Sequence, residues 1–251
     1  SRKIVYGRAR IGGNIVYLES TGTDNKYLWL VIAVAGHEID AYEEVWFNDK
    51  KIWDGGSYVG SWGSYVDIGF YKGDQTTADN SSQRGSASLV SNSSKWTDNH
   101  KLLDTAYMVV KLTYDADQFA QGLPNISTVI RGKKVLDPAS ITAGSFVVGK
   151  KYQISAVGNT NFTAIGASAN TVGVEFTATG VGSGTGTALL IDWSDNPALC
   201  VYDYLRDTKY GLGETVANIL TASITTAKGI CDEPVDLADD TTQARYTING
   251  V

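Results

Sequence analysis

The stretch from Asp104 to Pro138, DTAYMVVKLTYDADQFAQGLPNISTVIRGKKVLDP, constrains the fold more than any other. Tyr107, Val109, Lys111 and Thr113 alternate with Met108, Val110, Leu112 and Tyr114, and both sets are mostly apolar or β-forming. A period of two with β-branched and aromatic residues on both sides describes a strand with at least one well-covered face. Gly122 and Pro124 then mark a turn. A second β-rich run follows from Ile126 to Leu136, interrupted by Arg131-Gly132-Lys133-Lys134. Two long strands around a Gly/Pro connection predict a strand pair at the centre of a sheet.

The flanking sequence extends this pattern. Lys3 to Arg10 and Ile15 to Glu19 lie either side of Gly12-Gly13-Asn14 and read as a hairpin. Tyr27 to Ala35 is a nine-residue apolar run, most simply a buried strand. Glu44 to Asn48 and Lys51 to Trp53 form a second hairpin candidate, and Tyr65 to Tyr71 alternates again. The N-terminal third therefore reads as a β-meander. Thr76 to Trp96 is polar, with one short helix expected around Ser86 to Val90.

Toward the C-terminus the pattern becomes helical. Asn196 precedes Pro197, a cap residue followed by proline at the first helical position. Ala198, Val201, Tyr202 and Leu205 then fall on one helical face. A second helix starts near Ser223 and stops at Pro234, and Ala244 to Ile248 reads as a last strand.

Residues 139–190 stand apart: rich in Gly, Ala, Thr, Ser and Val, with few charges. Phe146 to Gln153, Thr163 to Ile165 and Val172 to Thr177 read as short strands. The segment is expected to be a small inserted β module on a loop of a discontinuous domain formed by 1–138 and 191–251. It is similar to a glycine- and threonine-rich module of phage virion proteins. The fold class expected is mainly β, a meander or sandwich-like domain with two or three short helices and that inserted module, α+β overall.

Charge and cysteine content narrow the function classes. The net charge is −6, and the longest basic cluster is Arg131-Gly-Lys-Lys134. Sequence-specific nucleic-acid binding, which needs clustered Lys and Arg, is therefore not expected. Cys200 and Cys231 are too few for a disulfide framework and are read as free thiols in helices. No apolar run reaches the ~18 residues of a membrane span. The chain starts at Ser1 and stops at Val251 in a strand-like run, as expected of a piece cut from a longer protein.

The sequence offers no recognisable catalytic constellation. Gly36-His37-Glu38 has Ala41 where a zinc helix needs a second histidine, and His100 lies in a polar loop. Gly180-Val-Gly-Ser-Gly-Thr-Gly186 lacks the following helix and Lys of a phosphate loop. Glu43 and Glu44, adjacent in a strand, would face opposite sides and form no acid–base dyad. No catalytic residue, cofactor or metal site is assigned, and the chain is not expected to be an enzyme. One cluster has two readings. Trp53, Tyr58, Trp62 and Tyr65 lie among glycines, and such rings either cover the flank of the sheet or a subunit contact, or stack on sugar rings as a glycan site.

Several segments carry a family resemblance: Tyr107–Tyr114, Gly122–Asn125 and Val129–Pro138, with Tyr6–Gly13, Leu30–Asp40 and Glu43–Phe47 before them. Trp193–Cys200, Tyr210–Gly213, Cys231–Val235 and Arg245–Val251 continue the set in order. Together they resemble the central tail-hub or tail-tip (host-specificity) proteins of long-tailed bacteriophages, related to the lambda tail-tip protein. The resemblance implies a structural virion protein at the tail tip or baseplate hub, made in the host cytoplasm. It implies a homotrimer in the full-length protein, other tail proteins as partners, and roles in tail closure, host attachment and DNA ejection. A host receptor or surface glycan is a further partner it allows. The rival expectation is a carbohydrate-binding β module acting through the aromatic cluster.

Overall fold

The computed structural model describes residues 3–76, 89–93, 95–97 and 99–251. The chain divides into two compact units, 1–133 with 249–251, and 134–248. This differs from the expected discontinuous domain of 1–138 with 191–251, since 191–248 group with 134–190.

In the first unit the strands are β1 (Arg8–Gly12), β2 (Asn14–Thr21), β3 (Tyr27–Ala35), β4 (Ile39–Phe47), β5 (Lys50–Trp53), β6 (Val66–Lys72), β7 (Ala106–Thr113) and the first part of β8 (Ile126–Thr142). They do not run as one meander. One antiparallel sheet has the order β2-β3-β7-β6. In the other, β8 pairs with β1 and with β4, and β4 pairs with β5. The hairpin expected across Gly12-Gly13-Asn14 is absent because the chain changes sheets there: β1 joins β8 and β2 joins β3. Likewise β7 and β8 are not partners. The 114–125 connection carries the chain from one sheet to the other, and β7 lies between β3 and β6.

The two sheets pack face to face. Leu30, Ile32, Met108, Val110 and Leu112 meet Val45, Phe47, Ile52 and Ile130 in one core. The opposite face of the first sheet presents Trp29, Val31, Tyr71, Tyr107 and Val109, covered by Leu89 and Trp96. Burial on both faces is why Tyr27 to Ala35 is apolar throughout instead of alternating. Each large side chain so buried contributes about 1.5–3 kcal/mol. Tyr71 and Tyr107, register partners, stack with centroids 4.4 Å apart and planes 3° from parallel. From the other sheet, the Tyr42 hydroxyl reaches the backbone carbonyls of Tyr71 (3.0 Å) and Tyr107 (3.1 Å). Burial pushes the Tyr42 phenol well above its ordinary value, so it stays a neutral donor.

The N-terminal segment is laid along β8. Val5 N–H donates to His37 Nε2 at 2.9 Å, and Lys133 N–H donates to the Val5 carbonyl at 2.8 Å. Because His37 Nε2 accepts, the ring proton sits on Nδ1, which donates to the Glu38 carbonyl at 2.8 Å. Gly132 lies directly beneath this strap: a Cβ there would sit 2.1 Å from the Val5 oxygen.

The second unit contains the rest of β8 with β9 (Lys151–Ala156), β10 (Glu175–Thr177) and β11 (Thr187–Trp193), in the order β10-β9-β11-β8. Phe146, Tyr152, Ile154, Phe162 and Phe176 form its core. Thr163 to Ile165, expected as a strand, belongs to a 3-10 turn (Phe162–Ile165), whose i, i+3 spacing buries both Phe162 and Ile165. Helices α1 (Pro197–Arg206) and α2 (Thr221–Asp232) follow, then the hairpin of β12 (Pro234–Asp236) and β13 (Thr242–Ala244). The strand expected over Ala244 to Ile248 is not formed: β13 ends at Ala244, since its partner β12 spans only three residues, and 245–248 continue without strand structure. The helix expected at Ser86 to Val90 lies mostly outside the described residues; Leu89 and Val90 form a bend and a turn. The fold is mainly β with two α-helices among the described residues, in agreement with the fold class expected from sequence.

Asn196 joins the two helices. Its Oδ1 accepts from Ala198 N–H (3.0 Å) and Leu199 N–H (3.4 Å), and its Nδ2 donates to the Lys228 carbonyl (3.1 Å) and Asp232 Oδ1 (2.7 Å). Lys228 is ion-paired with Asp232 at 2.9 Å and lies 3.8 Å from Asp137.

Two substitutions test this account. Asn196→Ala removes the cap and strands buried partners, and should lower unfolding free energy by about 1–3 kcal/mol in urea titrations. Gly132→Ala forces the Val5 strap away and should cost about 1–3 kcal/mol, whereas Gly56→Ala, with open space around it, should shift the midpoint little.

Candidate functional site

The aromatic cluster forms where β5 ends. Asp54 Oδ1 accepts from Ser57 N–H at 3.0 Å, closing a tight turn that brings Tyr58 back opposite Trp53. Trp53 rests on Phe70, with centroids 4.4 Å apart. The Tyr58 hydroxyl accepts from Ile68 N–H at 2.8 Å. Burial, with the Asp67 carboxylate adding to it, pushes the Tyr58 phenol up to about 12. Trp62 meets Phe47 edge-on at 5.3 Å and Phe119 at 6.4 Å. Trp53, Tyr58, Trp62 and Tyr65 all pack, partly buried, against the main core. Trp62 additionally lines an open cleft of about 440 Å³ with Phe47, Phe119 and polar residues of two loops. Sequence reading did not single out Phe119; the signal was present, a lone aromatic ring in the polar loop Asp115 to Pro124.

A charged ladder crosses the sheet of β1, β8, β4 and β5. Arg8 pairs with Glu43 at 2.5 Å and approaches Glu44 at 3.9 Å; Lys51 pairs with Glu44 at 3.1 Å. Arg131 pairs with Asp40 at 2.6 Å. Strict alternation would send Glu43 and Glu44 to opposite faces, yet both reach Arg8. A register irregularity between Tyr42 and Glu44 breaks the alternation. Burial raises the Glu44 carboxyl, but hydrogen bonds from Trp46 Nε1 and Lys51 and the charges of Lys51 and Arg8 outweigh it, so its value is lowered. A carboxylate held ionised in this way is a poor proton donor.

The remaining reactive groups are engaged structurally. Cys200 is buried in α1, and its Sγ lies 3.6 Å from the Ser194 carbonyl. Burial, then the carboxylates of Asp203 and Asp195, push its thiol up to about 12, far from the thiolate a nucleophile needs. His37 holds the N-terminal strap, and His100 stacks on Trp96 with centroids 4.7 Å apart. The glycine-rich loop is tied to the 159–160 turn: Thr185 N–H donates to Asn159 Oδ1 (2.7 Å) and Gly186 N–H to Thr160 Oγ1 (2.9 Å). These amides are occupied, and a strand follows the loop instead of a helix. Among the described residues, no three His, Cys, Asp or Glu side chains gather in a metal-holding group, and no helix is long and apolar enough to cross a membrane.

No protein-family model matches the chain, and a comparison with curated proteins finds no match. Among solved structures the chain is similar to one described as the virion of a native gene transfer agent particle. The TM-score is 0.34 and the identity 18%, over 52% of this chain and 27% of that chain.

The Tyr58 geometry yields a pH prediction. Unfolded, the phenol ionises near 10; folded, only near 12. A neutral acid whose value is raised by folding leaves stability intact below the lower value and loses it as pH rises between the two. Tyr58→Phe should be destabilised at neutral pH, because Ile68 N–H loses its acceptor. Its further decline between pH 10 and 12 should be shallower than in the parent protein, as read from denaturant midpoints across that range.

Proposed function

We propose that this chain is a structural component of a bacteriophage tail tip or baseplate hub, acting in tail closure, host attachment and DNA ejection. The observation that carries the reading is where the segments resembling tail-hub proteins fold. Residues 30–40, 107–114 and 129–136 lie in or beside buried strands, and 193–200 holds the Asn196 cap. The resemblance therefore lies in the framework, as suits a protein whose role is to hold position in an assembly. In this reading the chain is neither an enzyme nor a cofactor carrier, and residues 139–190 are a decorating module that contacts another tail protein or the cell envelope.

Contact surfaces for such an assembly are available. Ile15, Val16 and Leu18 are each at least 50% exposed on β2, an edge strand of its sheet. An edge strand with exposed apolar side chains is suited to pairing with another chain. In the full-length protein the partner is further copies of itself in a homotrimer, together with other tail proteins.

Sedimentation tests this. The isolated chain should run as a monomer or weak trimer, since a piece keeps only part of the trimer interface and association carries a large entropy cost. The full-length protein should run as a trimer, and antibodies to this chain should label one end of the tail in electron micrographs. A tight dimer, or label elsewhere on the particle, would overturn the assignment.

A further inference from the structure

We propose that the cleft lined by Trp62 and Phe119 is a binding site for a neutral saccharide. Its apolar wall is made by Trp62 and Phe119, which contact each other, with the buried Phe47 ring edge-on behind Trp62. Its polar rim comes from Asp49 of the β4–β5 turn, Lys50 at the start of β5, and Asp117, Gln118 and Gln121 of the β7–β8 connection. These two kinds of surface are what a pyranose needs. The negative face of an aromatic ring attracts the weakly positive C–H groups on one face of the sugar. Carboxylates and carboxamides then take its hydroxyls, and hydrogen bonds to charged acceptors are the stronger ones.

Three observations favour a ligand over a merely structural role. First, the rim is unspent: among the described residues, the side-chain polar ends of Asp49, Lys50, Asp117, Gln118 and Gln121 and the Trp62 indole N–H take no intramolecular partner. Second, the loops that carry the rim are fixed. Asn48 N–H donates to the Asn125 carbonyl at 2.8 Å, and Asn125 N–H returns to Asn48 Oδ1 at 3.0 Å. Asp115 Oδ1 accepts from Asp117 N–H (3.1 Å) and Gln118 N–H (2.8 Å), and Phe119 N–H donates to the Asp115 carbonyl at 3.0 Å. A ligand would thus meet loops whose backbone is already in place, which reduces the ordering cost of binding to that of the side chains. Third, the volume of about 440 Å³ falls within the range of small-molecule sites.

The charge of the rim selects the class. Two carboxylates and one ammonium leave an excess of one negative charge, which disfavours uronic, sialic or phosphorylated sugars and suits neutral hexoses or N-acetylhexosamines. Trp53, Tyr58 and Tyr65, the other rings of the cluster, pack against the main core and do not line the cleft. The site is independent of the assembly role, and its test needs no partner protein.

Saturation-transfer NMR on the isolated chain tests the idea with maltotriose, cellotriose and triacetylchitotriose, each at millimolar concentration. At least one should receive magnetisation on its pyranose C–H groups in a saturable manner. Asp117→Asn with Gln118→Ala, a pair at the surface, should weaken that binding roughly tenfold with an unchanged melt. Trp62→Phe should retain part of it and Trp62→Ala none. Absence of transfer to all three saccharides overturns the proposal, and so does binding that the Asp117/Gln118 double variant leaves unaltered.

Discussion

The structure depends on how β8 satisfies its backbone. From Ile126 to Lys133 the strand is hydrogen-bonded on both sides, to β1 and to β4; from Lys134 to Thr142 it pairs with β11. A strand of seventeen residues is long, and unpaired amides and carbonyls along it would be costly where buried. Its neighbours are arranged around that requirement. Arg8 to Gly12 lies along one edge, Val5 and Gly7 accept from Lys133 and Gly132, and β4 takes the other edge. Pro138 offers no N–H, yet the strand continues past it. The register slips there, from Leu136 opposite Ile191 to Ser140 opposite Leu189, and Asp137 Oδ1 accepts from Ala139 N–H at 2.9 Å. A bulge is one of the few places a proline can occupy within a strand.

What was legible in the sequence was local. The apolar run at β3, the two-residue period of β7, the β4–β5 hairpin and the Asn196-Pro197 helix start all follow from patterns within a few residues. Strand pairing was not legible, because a pattern of period two states that a strand has a buried face and not which strand lies beside it. Gly13 shows the problem. It looks like the centre of a hairpin turn, but a Cβ there would lie 2.3 Å from Ile32 Cγ2 and 2.7 Å from the Ala33 carbonyl. The glycine is needed because the chain passes close over β3 as it leaves one sheet for the other.

The candidate cleft was half legible. Trp53, Tyr58, Trp62 and Tyr65 stand out as neighbouring rings in sequence, and the fold packs all four, partly buried, against the core. What distinguishes Trp62 from the others is residues far from it in the chain: the turn at Asn48 to Lys50, and the loop at Asp117 to Gln121. The Asp115 side chain holds its own loop, the Asn48 side chain ties the β4–β5 turn to Asn125, and the meeting of the two loops is a product of β4 and β8 being partners. Tertiary pairing therefore decides which ring lines the cleft.

The titration pattern of the buried groups follows from the same packing. Tyr42, Tyr58 and Cys200 are all shifted toward their neutral forms, with burial as the leading cause in each. At a catalytic site, burial is usually set against a nearby opposite charge or a donor that keeps a reactive form within reach. Here the carboxylates near Tyr58 and Cys200 push in the same direction as burial, so ionisation is suppressed twice over. The hydroxyls are left as fixed neutral partners: Tyr42 donates to carbonyls across the sandwich, and Tyr58 accepts from Ile68. Such groups hold strands in register without offering a proton or a nucleophile, which accords with the framework role proposed for the chain. The unspent polarity lies instead at the loop ends, on Asp49, Lys50, Asp117 and Gln121. There exposed side chains carry little folding energy, so they are open to being taken up by a ligand at small cost to the fold.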